Sequence, residues 1–433
     1  MSGVQIATSI FLSAKSQDNN QRKVFLKEIF KIMANLDNPC EIQPKSVSIP
    51  CKKPDGKRIV FLARSLSRGG AERQLLALAR GLHTRGYAVS VIVFYNDETG
   101  YETDLKEVGI PFVSLGKKGR WDILPFLWRM IRALKRENPA ILHGYLPVPN
   151  IMSALLRPFL PGVKIAWGIR NAYLDLAHYD WLSRFSSTLE RHLSPLADVI
   201  IANSWAGRAC AMENGFPAHK IIVVPNGIDT DHFRFSAEAR KTFRKTLGFT
   251  DAEILVGLVG RLDPMKDHGN FLKAAQIVLR SRPDIRFACV GNGNNTEYTG
   301  FLKRQSEDLG LKKQLAWLPA QKDMISVYSS MDISVLASSF GEGFPNVIGE
   351  TMSCGLPCAV TDVGDTKIIV GDTGKVVAPK SETALAEAIL SLAALSPEAR
   401  RQLGEKCRTR IVEKFGIERL LSNTEMALTS LWS

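Results

Sequence analysis

The sequence predicts an α/β protein built from two doubly wound, Rossmann-like domains that face one cleft. Three observations carry that prediction. From residue 58 onward, short apolar runs alternate with stretches of helical period; the rhythm restarts after KIIVVPNGID; and several of the runs lead into glycine-bearing loops. Alternation of this kind argues for parallel sheets covered by helices on both faces. The chain has 433 residues, 45% of them hydrophobic and 23% charged, enough to bury two cores of ordinary domain size. The expected divisions are an extension at 1–57, a first domain at 58–228, a second at 229–415 and a final helix at 416–433.

Residues 1–57 stand outside the pattern, with one helical stretch at 22–36 followed by a loop rich in Pro and Lys. RIVFLA then reads as a buried strand and SLSRGG as a glycine loop. Leu75, Leu78, Ala79 and Leu82 carry the helical period through 71–82. Further strands are expected at 89–95, 110–115, 140–143, 164–168 and 199–203. After the restart, strands are expected at 254–259, 285–290, 333–336 and 358–360, and helices at 269–279, 384–394 and 417–432. In such sheets ligands bind beyond the carboxyl ends of the strands, which here means the cleft shared by the two domains.

A net charge of +13 and a pI near 9.4 indicate an anionic partner without naming it. The basic residues are spread along the chain and no aromatic stacking platform accompanies them, so nucleic acid is not expected. Seven scattered cysteines, with CGLPC lacking a second ligand pair, read as reduced core thiols in a reducing compartment rather than a zinc site. No run approaches the ~18 to 20 apolar residues that span a bilayer. The apolar piece at 4–12 has no basic region before it and no cleavage site after it, so no signal peptide is expected. The expected location is cytoplasmic. GKKGRWDILPFLWRMIRALKR, residues 116–136, holds seven basic residues and one acidic one. On a helix from Asp122, Ile123, Leu127, Ile131 and Leu134 share one face and Arg129, Arg132 and Arg136 the other. Helices covering a sheet and helices lying on a lipid surface are both built this way, so contact with an anionic membrane surface is an open expectation.

The chemistry concentrates in SSFGEGFPNVIGETMSCGLPCAVTDVGDT, residues 338–366. A strand, a loop with Gly341 and Gly343, and Pro345 before a helical pattern place exposed backbone N–H groups where an anionic or hydroxyl-rich ligand is favoured. Glu342 and Glu350 flank this turn. In VGRLDPMKDH, Arg261 and Lys266 follow a strand and precede a helix, where two cations can converge on a diphosphate. Gly69 and Gly70 open a helix in the first domain. His143 and Tyr145 end a strand in AILHGYLP, Arg170 and Asn171 end another in KIAWGIRN, and Gly291 and Asn292 form a turn in GNG. Asp229-Thr230-Asp231 fits the short Asp-x-Asp pattern of metal-dependent transferases, a pattern that arises often by chance.

The Glu pair with its seven-residue spacing, GEGFPN, the GRL segment followed by Lys266, SRGGAERQL and PNGIDTDHF together resemble the retaining glycosyltransferases of the GT-B fold, glycosyltransferase family 4. The resemblance runs from about residue 58 to 415 and leaves out 1–57. It implies a nucleotide-diphosphate-sugar co-substrate, no other cofactor and no metal, and a glycan or lipid-linked acceptor. It places Glu342 by the transferred sugar, Glu350 on the nucleotide ribose and Arg261 and Lys266 on the diphosphate, and it makes Gly69, Gly70, Gly291, Asn292, Gly343, Phe344, Pro345 and Asn346 further donor contacts. The family commonly has two histidines spaced by one residue where this chain has His143 and Tyr145. His143 is the catalytic candidate there, and Tyr145, Arg170 and Asn171 are acceptor candidates. The last helix is implied to cross back to the first domain. A nucleotide-sugar epimerase on the same fold and a non-catalytic nucleotide-binding protein are the alternative readings.

Overall fold

The computed structural model describes residues 57–67, 69–97, 100–119, 121–170 and 181–432. The expected helix at 22–36, Cys40, Cys51 and Asn171 lie outside the described residues. The first domain runs β1 (Arg58–Ala63), α1 (Gly70–Thr84), β2 (Ala88–Val93), α2 (Glu102–Glu107), β3 (Phe112–Ser114), α3 (Ile123–Glu137), β4 (Ile141–Tyr145), α4 (Pro147–Leu156), β5 (Lys164–Ile169), α5 (Trp181–Leu193), β6 (Val199–Ala202), α6 (Trp205–Glu213) and β7 (Ile221–Val223). The second runs α7 (Ala237–Leu247), β8 (Leu255–Val259), α8 (His268–Ser281), β9 (Arg286–Val290), α9 (Thr296–Asp308), β10 (Leu315–Leu318), α10 (Met324–Ser330), β11 (Ile333–Leu336), α11 (Asn346–Ser353), β12 (Cys358–Thr361), α12 (Thr366–Val370), β13 (Lys375–Val377), α13 (Glu382–Ala393) and α14 (Pro397–Phe415). A last helix, α15 (Ile417–Thr429), closes the chain.

Every strand pairing is parallel, in a seven-stranded sheet ordered β3-β2-β1-β4-β5-β6-β7 and a six-stranded sheet ordered β10-β9-β8-β11-β12-β13. The order reverses beside β1 and beside β8, so each domain has its switch point where its first strand ends. Central strands are buried on both faces, which is why RIVFLA, LVGLV and ISVL read as unbroken apolar runs. Three edge or near-edge strands, β7, β10 and β13, were absent from the sequence reading. Each has only three or four residues, most of them half-exposed, so none forms a buried apolar run. The strand expected at 110–115 shortens to β3 for the same reason.

The apolar face of α3 is rotated from the expected one: Leu134 is buried and Leu127 and Ile131 pack half-buried against the same core, but Ile123 is exposed. Phe126, Met130 and Leu134, spaced by four, are the residues buried against the sheet, while Ile123 and Leu124 turn outward with Trp128. Arg129 is not part of a free basic face: its Nε donates to the Leu115 carbonyl at 2.8 Å and its guanidinium pairs with Asp122. Asp122, Leu115 and the start of α3 are thereby tied together.

Two chain crossings join the domains side by side. Ile228 donates to the Phe415 carbonyl at 2.8 Å and Ile417 donates to the Ile228 carbonyl at 3.1 Å. Gln74 of α1 clamps the first crossing with both ends of its amide, Nε2 to the Gly227 carbonyl at 2.8 Å and Oε1 from the Gly227 N–H at 2.9 Å. Beyond the second crossing, α15 packs on α1 of the first domain. Leu420, Leu421, Ala427 and Leu428 belong to the same core as β1 and α1. A Cβ on Gly81 would lie 2.3 Å from Leu421, so only glycine admits this approach. Arg85 pairs with Glu418 and Glu425, and the Tyr87 hydroxyl donates to Glu425 at 2.7 Å.

Candidate active site

The site forms where β8 and β11 end. Lys266 lies in a single 3-10 turn that Asp263 caps, its side chain accepting from the Met265 N–H at 2.9 Å. Asp267 follows with φ +46, a left-handed turn that ends this piece and starts α8, where its carboxylate caps Asn270. The loop after β11 meets this turn through the Ser339 N–H, which donates to the Met265 carbonyl at 2.9 Å. Lys266 Nζ then reaches Glu342 Oε1 at 2.5 Å, and Ser338 Oγ donates to the same oxygen at 2.6 Å. Cation and carboxylate are 76 positions apart in sequence and both largely buried. Behind Glu342, Gly364 holds φ +63, and a Cβ there would lie 2.3 Å from the Glu342 carbonyl oxygen, so glycine is what lets the two loops meet.

Glu350 lies one helical stretch further on, inside α11 and 3% exposed. The Tyr328 hydroxyl donates to its Oε2 at 2.7 Å, and Arg73 of α1 donates to its Oε1 from the opposite domain. Burial and the neighbouring carboxylate push the Tyr328 phenol well above its ordinary value, so it stays a donor. Asn346, at the first turn of α11, accepts from Asn226 Nδ2 at 2.9 Å and donates to the Gly70 carbonyl at 3.4 Å. Asp365 reaches across as well, accepting from the N–H groups of Trp205 and Ala206 at 2.9 and 3.0 Å, where it caps α6. Three groups from the second domain, Glu350, Asn346 and Asp365, thus meet the first. Arg261 is exposed and makes no ion pair among the described residues.

Other expected site residues are engaged in contacts within the protein. Phe344 turns into the second-domain core against Phe415, ring centroids 5.5 Å apart, so its ring is a packing anchor rather than a ligand contact in this structure. Gly291 and Asn292 knit loops together: a Cβ on Gly291 would lie 2.0 Å from the Gly260 carbonyl oxygen, and Asn292 Oδ1 accepts from Ala320 at 2.9 Å. His143 has no exposed surface and lies between the rings of Phe61 and Tyr145, with both ring nitrogens unbonded. In this structure it is a buried imidazole whose surroundings favour the neutral form. Tyr145 is buried too, its phenol pushed up to about 12, and the Arg170 guanidinium lies 4.1 Å from its ring centroid. Arg170 donates to Asn226 at 3.4 Å and so joins the Asn226–Asn346 contact; its Nε has no partner. Asp229 accepts from the His232 N–H at 3.0 Å and Asp231 pairs with Arg234 at 2.6 Å, while no three metal-ligating side chains cluster among the described residues.

Sequence reasoning missed Arg73, Tyr328, Ser338, Asn226 and Asp365. Arg73 and Ser338 lie in stretches already singled out, but nothing local marks them as partners of the two glutamates. Tyr328 carries no sequence signal at all.

Three buried titratable groups near the first sheet and the site give stability a defined pH dependence. Burial pushes His143 down to about 3 and His268 down to about 4, while both sit at about 6.5 when free. Burial pushes Glu190 up to about 7 from an unperturbed 4.5, against the lowering hydrogen bond from Asn150. Between about pH 4.5 and 6.5 the unfolded chain holds two protons that the folded histidines refuse, and the folded chain holds one on Glu190 that the unfolded chain has released. The unfolded state therefore binds one proton more, and these groups make stability decrease by ~1.4 kcal/mol for each unit the pH is lowered. Glu190→Gln removes the offset, so the slope from these groups is expected to double to ~2.7 kcal/mol per unit. Urea unfolding at pH 6.5, 5.5 and 4.5 checks this; parallel profiles for wild type and variant would refute it.

Two doubly wound domains whose strand ends present paired carboxylates and cations to one another have the build of a two-domain sugar transferase. Residues 68–232 match Glycosyltransferase Family 4, and residues 239–410 match Glycosyl transferases group 1. The chain belongs to this glycosyltransferase family. It is 24% identical over 324 residues to the putative glycosyltransferase EpsF of Bacillus subtilis, across 73% of this chain and 82% of that protein. It is 27% identical over 246 residues to the Escherichia coli UDP-Gal:alpha-D-GlcNAc-diphosphoundecaprenol alpha-1,3-galactosyltransferase, across 55% of this chain and 60% of that enzyme. Anabaena Alr3699/HepE, solved in complex with UDP, superposes with a TM-score of 0.76 at 21% identity, covering 86% of this chain and all of that one, which establishes the GT-B fold. These relatives are transferases, and the epimerase reading is not favoured.

Proposed function

We propose that the protein is a retaining, metal-independent hexosyltransferase that takes its sugar from a UDP-linked donor and passes it to a lipid-linked or growing glycan acceptor. The observation that carries the donor half is the buried Lys266–Glu342 pair at the strand ends, 2.5 Å apart, with exposed Arg261 five positions before Lys266 in the same β8–α8 loop. In sugar transfer from a nucleotide diphosphate, negative charge grows on the departing phosphate, and fixed cations there stabilise the transition state more than the ground state. Lys266 has three N–H donors, so it can hold Glu342 and still meet the diphosphate, while Arg261 supplies a second charge. Glu342 orders the sugar and Glu350 the ribose. No side chain in the site is placed as an enzymic nucleophile, which favours attack from the face the diphosphate leaves. Closure of the two domains excludes water and aligns the substrates.

The UDP and lipid-linked assignments draw on what the Escherichia coli relative acts on and what HepE was solved with. The outward face of α3 supports the acceptor half. Trp121 and Trp128 are 76% and 60% exposed, and Arg132 lies 5.2 Å above the Trp128 ring amid the basic residues of 117–136. No described helix is long and apolar enough to cross a membrane, so this face would hold the enzyme on an anionic lipid surface as a peripheral protein at the cytoplasmic side. Calorimetric titration with UDP, GDP, ADP and CDP, repeated with phosphatidylglycerol vesicles, tests the reading. Selective binding of UDP and sedimentation with the vesicles are expected. Binding of none of the four nucleotides would sink the donor assignment, and protein left in the supernatant would sink the lipid one.

A further inference from the structure

Glu350 has two carboxylate oxygens, and both are engaged: Oε2 by the Tyr328 hydroxyl at 2.7 Å, Oε1 by the Arg73 guanidinium. The two partners are not alike. Tyr328 is 1% exposed, belongs to the same domain as Glu350 and has nowhere to go. Arg73 comes from the other domain, its side chain is 35% exposed, and its guanidinium lies 5.7 Å from the Phe233 ring centroid. With Arg73 in place the Glu350 side chain is only 4% exposed, too little for a ligand to reach it.

We propose that Arg73 is a displaceable counter-ion of Glu350, a positioning residue that pairs with the donor-site carboxylate and shields it until nucleotide arrives. The inference rests on the reading of Glu350 as the ribose carboxylate. The ribose diol supplies neutral O–H donors in place of one charged N–H, so donor binding breaks the Arg73–Glu350 ion pair, and Arg73 retreats into the solvent its side chain already touches. Tyr328 keeps its bond throughout and fixes the carboxylate's orientation. Because Arg73 sits three residues past Gly70, whose carbonyl accepts from Asn346, breaking the pair also loosens the contact between α1 and the start of α11. Nucleotide entry and release of this one side-chain tie are a single event, before the domains close on the substrates.

A competitor that must leave lowers apparent affinity by the fraction of time it is in place. Its removal therefore tightens binding, an effect opposite in sign to the loss of a structural tie or of a direct ligand contact. Arg73→Met keeps the length of the side chain and deletes its charge. It is expected to bind UDP at least about fivefold more tightly than wild type in calorimetric titration. Arg73→Lys, which keeps the charge but not the fork, is expected to show a smaller gain in the same direction, and it carries the test should the Met variant not fold. Unchanged or weaker UDP binding in both variants, with wild type binding normally, overturns the counter-ion role alone. Failure of wild type to bind any of UDP, GDP, ADP or CDP overturns the donor reading and this inference with it.

Discussion

Lys266→Ala is expected to lower the rate of sugar transfer by about 10² to 10³, the loss of ~2.7 to 4 kcal/mol typical when one fixed group is withdrawn from developing oxyanion charge. The defect should concentrate in kcat, because the charge Lys266 meets grows only as the donor bond breaks. Two effects add in this variant. The leaving diphosphate loses a cation, and Glu342, 7% exposed at its side chain, is left with Ser338 as its only hydrogen-bond partner among those described. Lys266→Arg separates them: it restores a charge to both neighbours, so it should recover part of the rate even where geometry is imperfect. Initial rates measured with saturating donor decide the matter. Turnover within threefold of wild type in Lys266→Ala would remove Lys266 from the reaction.

The largest loss of stability is expected from Asp332→Ala in the second domain. Asp332 follows α10 and holds three partners: Arg240 at 2.9 Å, Arg244, and the Leu255 N–H at the start of β8 at 2.8 Å. Arg244 is 1% exposed and also donates to the carbonyls of Ser330, Thr250 and Glu253 at 2.8, 2.6 and 2.9 Å. This guanidinium ties α7, the end of α10 and the entry to β8 together, and Asp332 is its one carboxylate. Deleting one member of a buried ion pair leaves the other charge uncompensated, a cost of ~3 to 5 kcal/mol. Chemical denaturation followed at the tryptophans should show the second domain's transition lowered by that amount. A shift below ~1 kcal/mol would mean that solvent and backbone carbonyls suffice for Arg244.

How far the sequence could be read follows from where each signal lies. Alternating apolar runs are local, so β1, β8, β9, β11 and β12 were legible to within a residue or two. The short edge strands were not, because three half-exposed residues carry no period. Amphipathicity located α3 but not its rotation: several Ile, Leu, Phe, Met and Trp residues compete for one stripe, and the sheet selected Phe126, Met130 and Leu134. At the site, loop glycines and charged residues after strands singled out Lys266, Glu342 and Glu350, each of which makes a buried polar contact in the structure. Their pairing was out of reach, since Lys266 meets Glu342 across 76 positions and Arg73 meets Glu350 across 277. Phe344 and His143 lie in motif positions, yet packing against Phe415, Phe61 and Tyr145 claims their rings, and packing is a property of the whole fold.

The return of α15 to α1 has a consequence for how the protein is made. Translation delivers β1 and α1 early, but the hydrophobic interior they belong to includes Leu420, Leu421, Ala427 and Leu428, which emerge last. Domains commonly fold as they leave the ribosome, amino-terminal first. Here the amino-terminal domain must wait with the bare groove at Gly81 open while the whole second domain is synthesised. During that interval it presents apolar surface to the cell, and a nascent chain halted before residue 417 would be a client for chaperones rather than half an enzyme.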